Sequence, residues 1–334
     1  MTWSIEDART KRRVDGQRRA RLRTLVGRHL ESPLRSVMSA AGAITGNRNY
    51  FLALDRVARR MNRYQKTAFK NYEPTGSDIV CSAYFKAGTN WVMHICYQIT
   101  QLGNGQFDHI QDEIAWPDAA EPRYWRALSD SNAICSPSGR RVIKSHLPAD
   151  LIPLQTSTKC IAVTRDPLDC AASGFHFYAN LILGPATPPP DVWLDYFALD
   201  RTFYGPWHHF TASWWAERNR KNVLFLTFED LKARPHDTIL AIAHFLEIEL
   251  TPDQLEGVIG NTTIEAMRKI NDRFTPVRQN IWSNHSAKIV RKGAVGDGHA
   301  LFSREAIELF RKRTAAGLAR ENSDFPHYEL LPEH

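Results

Sequence analysis

The sequence IVCSAYFKAGTNW, residues 79–91, sets the architecture of the chain. Its first part, Ile79–Tyr84, is a short apolar run typical of a buried β-strand. The turn that follows contains Lys86 and Gly88, and an apolar helical pattern begins at Trp91. A strand, a glycine turn and a helix in this order present unpaired backbone N–H groups to an anion. The nucleotide-triphosphatase pattern GxxxxGK[ST] is absent from the sequence, so the segment predicts a P-loop-like site of another kind.

Three further segments have the pattern of a buried strand followed by a turn or a helix. They are residues 141–148, 160–167 and 223–228. Apolar strands separated by helical stretches predict one α/β domain with a central parallel sheet flanked by helices. Such sheets bind ligands at the carboxyl ends of their strands. Lys86, Arg165 and the pair Lys144 and His146 fall at such ends, and the pair shares one side of its strand.

The composition narrows the class of protein. Of 334 residues, 43% are hydrophobic and 24% are charged, which excludes disorder, collagen-like repeats and a coiled coil. No apolar run approaches the roughly 18 residues that span a bilayer. Five cysteines without a CxxC pair are typical of reduced thiols, so we expect a cytoplasmic protein. No cluster of metal-ligand type is visible, and no metal is expected.

The first part of the chain is strongly basic. Residues 1–70 contain 17 Lys and Arg against 5 Asp and Glu. Because the character changes after Pro74, we expect a basic helical extension over residues 1–74 and the main domain over residues 75–325.

Residues 51–70 predict an amphipathic helix within that extension. Its apolar face contains Phe51, Leu54, Val57, Ala58, Met61 and Tyr64, and its basic face contains Arg56, Arg59, Arg60, Arg63 and Lys66. This pattern is typical of a helix docked on the main domain, and also of one in peripheral contact with an anionic membrane or with nucleic acid. Docking is the simpler interpretation, and no nucleic-acid partner is expected.

Several motifs in order resemble the cytosolic-type sulfotransferases, which use 3′-phosphoadenosine 5′-phosphosulfate (PAPS) as donor. YFKAGTNW, residues 84–91, is similar to the family's YPKSGTTW, and KSHLP, residues 144–148, is similar to KTHLP. RDPLDCAASGFHF, residues 165–177, resembles the 3′-phosphate segment RNPKDVAVSYYHF. FEDLKARP, residues 228–235, and RKGAVGDG, residues 291–298, resemble YEDLKxxP and RKGxxGDW. The resemblance covers about residues 77–315.

The resemblance implies roles for individual residues. Lys86 would contact the sulfuryl group, with Lys144 beside the general base His146. The other residues that would bind PAPS, or its product 3′-phosphoadenosine 5′-phosphate (PAP), are Ala87, Gly88, Thr89, Asn90, Trp91, Arg165, Ser173, Phe228, Thr262, Met267, Arg291, Lys292 and Gly293. A small hydroxyl acceptor of apolar or aromatic character is expected, because aromatic residues cluster between Ala179 and Trp207 and at Trp116, Tyr124 and Trp125. Those aromatic residues also suit the packing of loops onto the sheet.

Two other functions remain open from the sequence. One is a nucleotide kinase-like phosphotransferase, which the missing GxxxxGK[ST] pattern counts against. The other is a catalytically degenerate sulfotransferase fold that binds a membrane or nucleic acid through its basic N-terminal helix. The sequence does not decide the oligomeric state or the identity of the acceptor.

Overall fold

The computed structural model describes residues 3–23, 28–130, 136–275, 281–282, 288–291 and 293–327. Its strands are β1 (Asp78–Ala83), β2 (Arg141–Ser145), β3 (Lys159–Thr164) and β4 (Val223–Thr227). They form one parallel sheet in the order β2-β1-β3-β4. The carboxyl end of β1 therefore lies between those of β2 and β3. This order brings together three of the strand ends that the sequence marked as ligand-binding.

Helices cover the sheet and precede it. They are α1 (Ile5–Leu22), α2 (Arg28–Thr45), α3 (Arg48–Met61), α4 (Thr89–Thr100), α5 (Ile110–Glu113), α6 (Pro167–Tyr178), α7 (Pro190–Phe197), α8 (Trp207–Ala216), α9 (Phe228–Ala233), α10 (Pro235–Phe245), α11 (Pro252–Thr262), α12 (Ile264–Lys269) and α13 (Arg304–Arg320). The α/β class, the parallel sheet and the flanking helices predicted from the sequence are confirmed, and each strand lies within one to three residues of its predicted bounds.

Alternate residues of each strand enter two different apolar layers, as the period of a β-strand requires. Val80 of β1 belongs to the layer that contains the aromatic side chains of α7 and α8. Ile79 and Cys81 belong to the other layer, with the apolar side chains of α4, α10 and α11. Both sides of the sheet are therefore buried, which explains why its strands are continuous apolar runs.

The amphipathic helix expected over residues 51–70 is shorter than expected. Helix α3 ends at Met61, and its cap residue Asn62 is held by tertiary contacts. The Asn62 side chain donates to the Thr202 carbonyl at 2.8 Å and accepts from the Tyr204 amide at 2.7 Å. Leu54 on its apolar face is buried in the main core. The docked arrangement is therefore the one that the structure adopts.

The segment between Ala179 and Trp207 is mostly helical. Single turns of π and 3₁₀ helix at residues 179–183 and 184–186 precede α7. Its aromatic side chains Trp193, Tyr196, Phe197 and Phe203 are buried in the core. They stabilise the fold, and among the aromatic residues of this segment only Tyr204 reaches the cleft described below.

Cys81, Cys96, Cys160 and Cys170 are buried thiols without a disulfide, whereas Cys135 lies outside the described residues. No helix in the described ranges has the length and apolar character needed to cross a membrane.

Candidate active site

A cleft of about 420 Å³ opens at the carboxyl ends of the strands. The predicted site residues that line it are Lys86, Gly88, Thr89, Asn90, Trp91, Lys144, His146, Arg165, Ser173, Phe228, Thr262, Met267, Arg291 and Gly293. Ala87 does not line it, because its side chain is buried and its amide donates to the Tyr84 carbonyl at 2.9 Å. Lys292 lies outside the described residues. The structure thus brings together residues that are up to 207 positions apart in the chain.

The turn between β1 and α4 is shaped to receive an anion. Lys86 and Gly88 both have left-handed backbone conformations, with φ of 68° and 87°. A Cβ atom at Gly88 would lie 2.7 Å from Cδ2 of Phe228, so only glycine fits there. Among the described residues the structure gives no acceptor for the backbone N–H groups of Gly88, Thr89 and Asn90. These donors point out of the N-terminus of a helix of 12 residues, where its dipole also attracts negative charge.

Arg165 follows β3 and links three separate parts of the cleft. Its guanidinium donates to the Asp169 carboxylate at 2.9 Å, to the Ala294 carbonyl at 2.6 Å and to the Lys86 carbonyl at 3.4 Å. Its Nε atom is buried and has no hydrogen-bond partner among the residues that the structure describes. Because a buried N–H without an acceptor is costly, this donor favours a bound anion. Ser173, two turns along α6, lines the cleft on the same side.

Asp169 holds the C-terminal part of the site against Arg165, a role that the sequence analysis missed. Its carboxylate accepts from the backbone amides of Gly296 and Gly298 at 2.9 and 3.0 Å. Arg291 is bound to Asp297 at 2.7 Å in the same segment. Asp169 lies in the first turn of α6, four residues after Arg165, a spacing that could have indicated the pair.

Trp91 and Phe228 line the cleft beside the turn at residues 85–90, which we call the phosphate-type loop. The rings of Trp91 and Phe228 meet edge to face with centroids 5.8 Å apart. The indole N–H of Trp91 donates to the Thr262 carbonyl at 2.9 Å, which fixes the ring. The Arg165 guanidinium lies 4.3 Å from the Phe228 centroid. Aromatic walls with a fixed indole and a nearby cation suit a planar heterocycle that carries phosphate.

His146 follows directly after β2 and has a defined tautomer. Its Nδ1 lies 2.7 Å from the carbonyl oxygen of Ala83, so Nδ1 carries the proton and Nε2 has a free lone pair. Burial and the positive charge of Lys144 hold the pKa of the imidazole well below its usual value. The ring is therefore neutral at neutral pH and can accept a proton in the cleft.

Burial lowers the pKa values of two lysines that line the cleft, Lys86 and Lys144. Burial, followed by repulsion from Arg165 and Arg291, lowers the pKa of Lys86 to about 8. Burial lowers the pKa of Lys144 to about 7, and its Nζ lies 3.5 Å from the ring centroid of Trp116. Removing their positive charges is thus easier than for lysines in water. A bound anion would reverse this shift, because it favours the charged form.

Asp118 contacts the backbone of His146, and the sequence analysis did not predict this contact. Its carboxylate is fully buried and accepts from the His146 amide at 2.9 Å. Burial raises the pKa of this carboxyl to about 6, while the charge of Lys144 opposes the rise. An acidic residue 28 positions before the histidine carries no sequence signal for this contact.

Aromatic side chains cover the remaining side of the cleft. We call Phe85, Trp116, Phe177 and Tyr204 the aromatic wall. The rings of Trp116 and Tyr204 have centroids 5.5 and 4.4 Å from that of His146. Met61, at the end of α3, also lines the cleft. A small molecule next to the base would therefore be held mainly by apolar and aromatic contacts.

Helix α1 and the residue Trp3 before it contact residues next to Trp116 of the aromatic wall. Arg9 and Arg12 both form ion pairs with the buried carboxylate of Asp112, with an Arg9 distance of 3.0 Å. The indole N–H of Trp3 donates to the Trp125 carbonyl at 2.8 Å. The ring of Trp125 stacks on Trp116, with centroids 6.1 Å apart. The N-terminal helix is thereby connected to the wall beside the base.

The described residues contain no group of three or more His, Cys, Asp or Glu side chains arranged to hold a metal ion.

The chain is similar to known proteins over most of its length. The sequence model of the sulfotransferase domain matches residues 76–322. Sulfotransferase 1B1 of Canis lupus familiaris is 30% identical over 254 residues, covering 72% of this chain and 84% of the relative. Sulfotransferase 1C2 of Homo sapiens is 27% identical over 255 residues, covering 72% and 83%.

Solved structures share the fold. Mouse sulfotransferase SULT7A1 in complex with PAP has a TM-score of 0.59 at 21% identity, covering 78% of this chain and 90% of the other. Retinol dehydratase in complex with retinol and PAP has a TM-score of 0.65 at 21% identity, covering 79% and 88%.

Proposed function

The chain belongs to the sulfotransferase family, and from that premise we propose that it transfers the sulfuryl group of PAPS to the hydroxyl of a small apolar or aromatic acceptor. The observation that carries this proposal is the position of one neutral imidazole. Nε2 of His146 is free because Nδ1 donates to Ala83, and the ring shares a cleft with Lys86 and Arg165. A base, a cation and an anion site in one cleft are what sulfuryl transfer needs.

Donor binding would use the side of the cleft formed by the phosphate-type loop. The free amides of Gly88, Thr89 and Asn90, with Lys86, suit the 5′-phosphosulfate. Arg165, Ser173 and Arg291 suit the 3′-phosphate, and Lys292 remains a prediction for the same group. Trp91, Phe228, Thr262, Met267 and Gly293 suit the adenosine. The unpaired Nε of Arg165 supports this assignment, because a dianionic phosphate would satisfy it.

The transfer step follows from this arrangement. The acceptor hydroxyl gives its proton to Nε2 of His146 as its oxygen bonds to sulfur. The bond between sulfur and the bridging oxygen breaks, and its electron pair stays on the phosphate of the departing PAP. Lys86 would stabilise the charge that grows on this oxygen, and Lys144 adds positive potential. Because PAP is a good leaving group, positioning and electrostatics supply most of the catalysis, by analogy with phosphoryl transfer.

The aromatic wall supports an acceptor with a flat or lipid-like body. Retinol and androsterone appear in complexes of retinol dehydratase with the same fold, and both are apolar alcohols. We propose phenols, sterols and long-chain alcohols as the classes to screen. We also propose a cytoplasmic protein, an N-terminal extension over residues 1–74 and a sulfotransferase domain over residues 75–325. The buried free thiols support the location, and the helices that precede β1 support the division.

Calorimetric titration of PAP into the purified protein tests the donor site. We expect micromolar binding that is lost in the Arg165→Ala/Arg291→Ala variant, and at least tenfold weaker binding of adenosine 5′-phosphate, which lacks the 3′-phosphate. ATP should compete poorly. The acceptor is then found by following sulfated products of phenols and alcohols by mass spectrometry. Absence of PAP binding in a folded sample would contradict the proposal.

A further inference from the structure

Helix α2 presents its apolar side to the solvent. Leu30, Leu34, Val37 and Ile44 are 45%, 40%, 64% and 85% exposed. Their spacing places them on one face of the helix, over a length of about 21 Å. The helix packs on its neighbours by another side, where a Cβ atom at Gly42 would lie 2.8 Å from the Tyr50 ring. We call the four exposed residues the α2 stripe.

Helix α3 has the opposite arrangement. Its apolar residues Tyr50, Leu54 and Ala58 are buried, as in an ordinary docked helix. Its outer face contains Arg48, Leu52, Arg56 and Arg59, all exposed. The two helices form a hairpin, in which the Asn49 side chain donates to the Met38 carbonyl at 2.9 Å. A bare apolar stripe and a row of arginines are therefore carried by adjacent helices.

The arginines of this row are available for an external partner. Among the described residues, Arg48, Arg56 and Arg59 have no carboxylate within ion-pair distance, whereas Arg60 is paired with Glu121 at 2.7 Å. Residues 28–61 contain six Lys and Arg against two Asp and Glu. The hairpin thus combines excess positive charge with exposed apolar area.

We propose that this surface of α2 and α3 docks on an anionic phospholipid bilayer, with the α2 stripe in the acyl boundary and the α3 arginines among the headgroups. This combination is the one that interfacial helices use. A second copy of the chain fits less well, because pairing this face with itself would bring two basic surfaces together. Nucleic acid would neutralise the arginines but leave the α2 stripe in water. The bilayer accounts for both features at once.

The same hairpin adjoins the aromatic side of the cleft. Arg35 of α2 donates to the Gly184 carbonyl at 3.3 Å, in the segment that leads to α7. Met61 of α3 lines the cleft itself. If the proposed function holds, a docked bilayer would supply alcohols that partition into membranes. This step rests on the proposed function, whereas bilayer docking does not.

Flotation of the full chain with vesicles tests the docking. We expect binding to vesicles of phosphatidylcholine with 30% phosphatidylserine to exceed binding to phosphatidylcholine alone by about tenfold, and to weaken in 0.5 M salt. Val37→Glu/Ile44→Glu and Arg56→Gln/Arg59→Gln should each lower the affinity by about tenfold. The matched control is Leu309→Glu/Arg304→Gln, which makes the same types of change at exposed positions of α13 and should bind like the wild type.

Three results would overturn the proposal. They are wild-type binding no stronger to anionic than to neutral vesicles, equal loss in the α13 control, and a dimer by light scattering that Val37→Glu/Ile44→Glu dissolves. Circular dichroism confirms that the variants are folded. The PAP titration does not involve this surface, so failure of docking and failure of the proposed function remain distinguishable.

Discussion

The affinity for PAP should fall as Lys86 loses its proton. Its pKa of about 8 reflects burial and the nearby charges of Arg165 and Arg291. The charged fraction of this lysine then decreases from about 90% at pH 7 to about 10% at pH 9. Because a 5′-phosphate favours the charged amine, the apparent Kd of PAP should rise about tenfold over this interval. Phosphate monoesters are already dianionic above pH 7, so the ligand does not titrate there.

Calorimetry at pH 7, 8 and 9 measures this change, and buffers of different ionisation enthalpy show the proton taken up on binding. In Lys86→Arg the guanidinium stays charged throughout, so the Kd should be nearly independent of pH even if it is weaker. Lys144→Gln is the second control, because it removes the other titrating amine. The affinity of this variant for PAP should still decrease from pH 7 to pH 9. The reasoning would be refuted by a wild-type Kd that is constant from pH 7 to pH 9. It would also be refuted by a Lys86→Arg variant whose affinity for PAP decreases with pH as much as that of the wild type.

Three further outcomes are expected. His146→Ala should lower kcat by about 10²–10⁴-fold in a sulfate-transfer assay and leave PAP affinity within about twofold, since the base contacts the acceptor side; equal turnover would remove it from this role. Gly88→Ala should weaken PAP binding at least about tenfold, because its Cβ would lie 2.7 Å from Phe228; Gly139→Ala, also at positive φ but in open space, is the control for backbone strain and should bind PAP normally. Arg9→Gln/Arg12→Gln leaves the buried carboxylate of Asp112 without its ion-pair partners. Thermal unfolding should therefore show that the free energy of unfolding is lower by about 1–3 kcal/mol. The KM for the acceptor should rise, whereas the affinity for PAP, measured as the internal reference, should not change.

The sheet and the phosphate-type loop could be predicted from the sequence because both are local. Ile79–Tyr84 is an apolar run of strand length, and a glycine follows it just before a helical pattern. Lys144 and His146 are two residues apart, so an extended backbone turns both to the same side. Both line the cleft. Local periodicity and turn chemistry were sufficient at these positions.

The contacts across the chain could not be predicted in this way. Asp118 meets His146, and Met61 reaches the cleft, only because distant elements pack together. The sequence pattern predicted a helix that continues to residue 70. Helix α3 ends earlier because Asn62 forms hydrogen bonds with residues 202 and 204, which the pattern does not reveal. Trp193 looked like a candidate for the acceptor pocket, yet it is fully buried. Aromatic composition alone does not separate pocket lining from core.

The anion side and the aromatic side of the cleft therefore differ in how well local sequence predicts them. The anion side contains short segments with recognisable spacing, residues 84–91 and 165–173, which local sequence was enough to identify. The aromatic side is assembled from Met61, Trp116 and Tyr204, which lie on separate elements. Two of these elements are held by the N-terminal extension, through Asn62 and through the ion pairs of α1 with Asp112. Since these hydrogen bonds and ion pairs join the described part of the extension to the aromatic side, differences in the extension should alter which acceptor fits more than they alter binding of the donor.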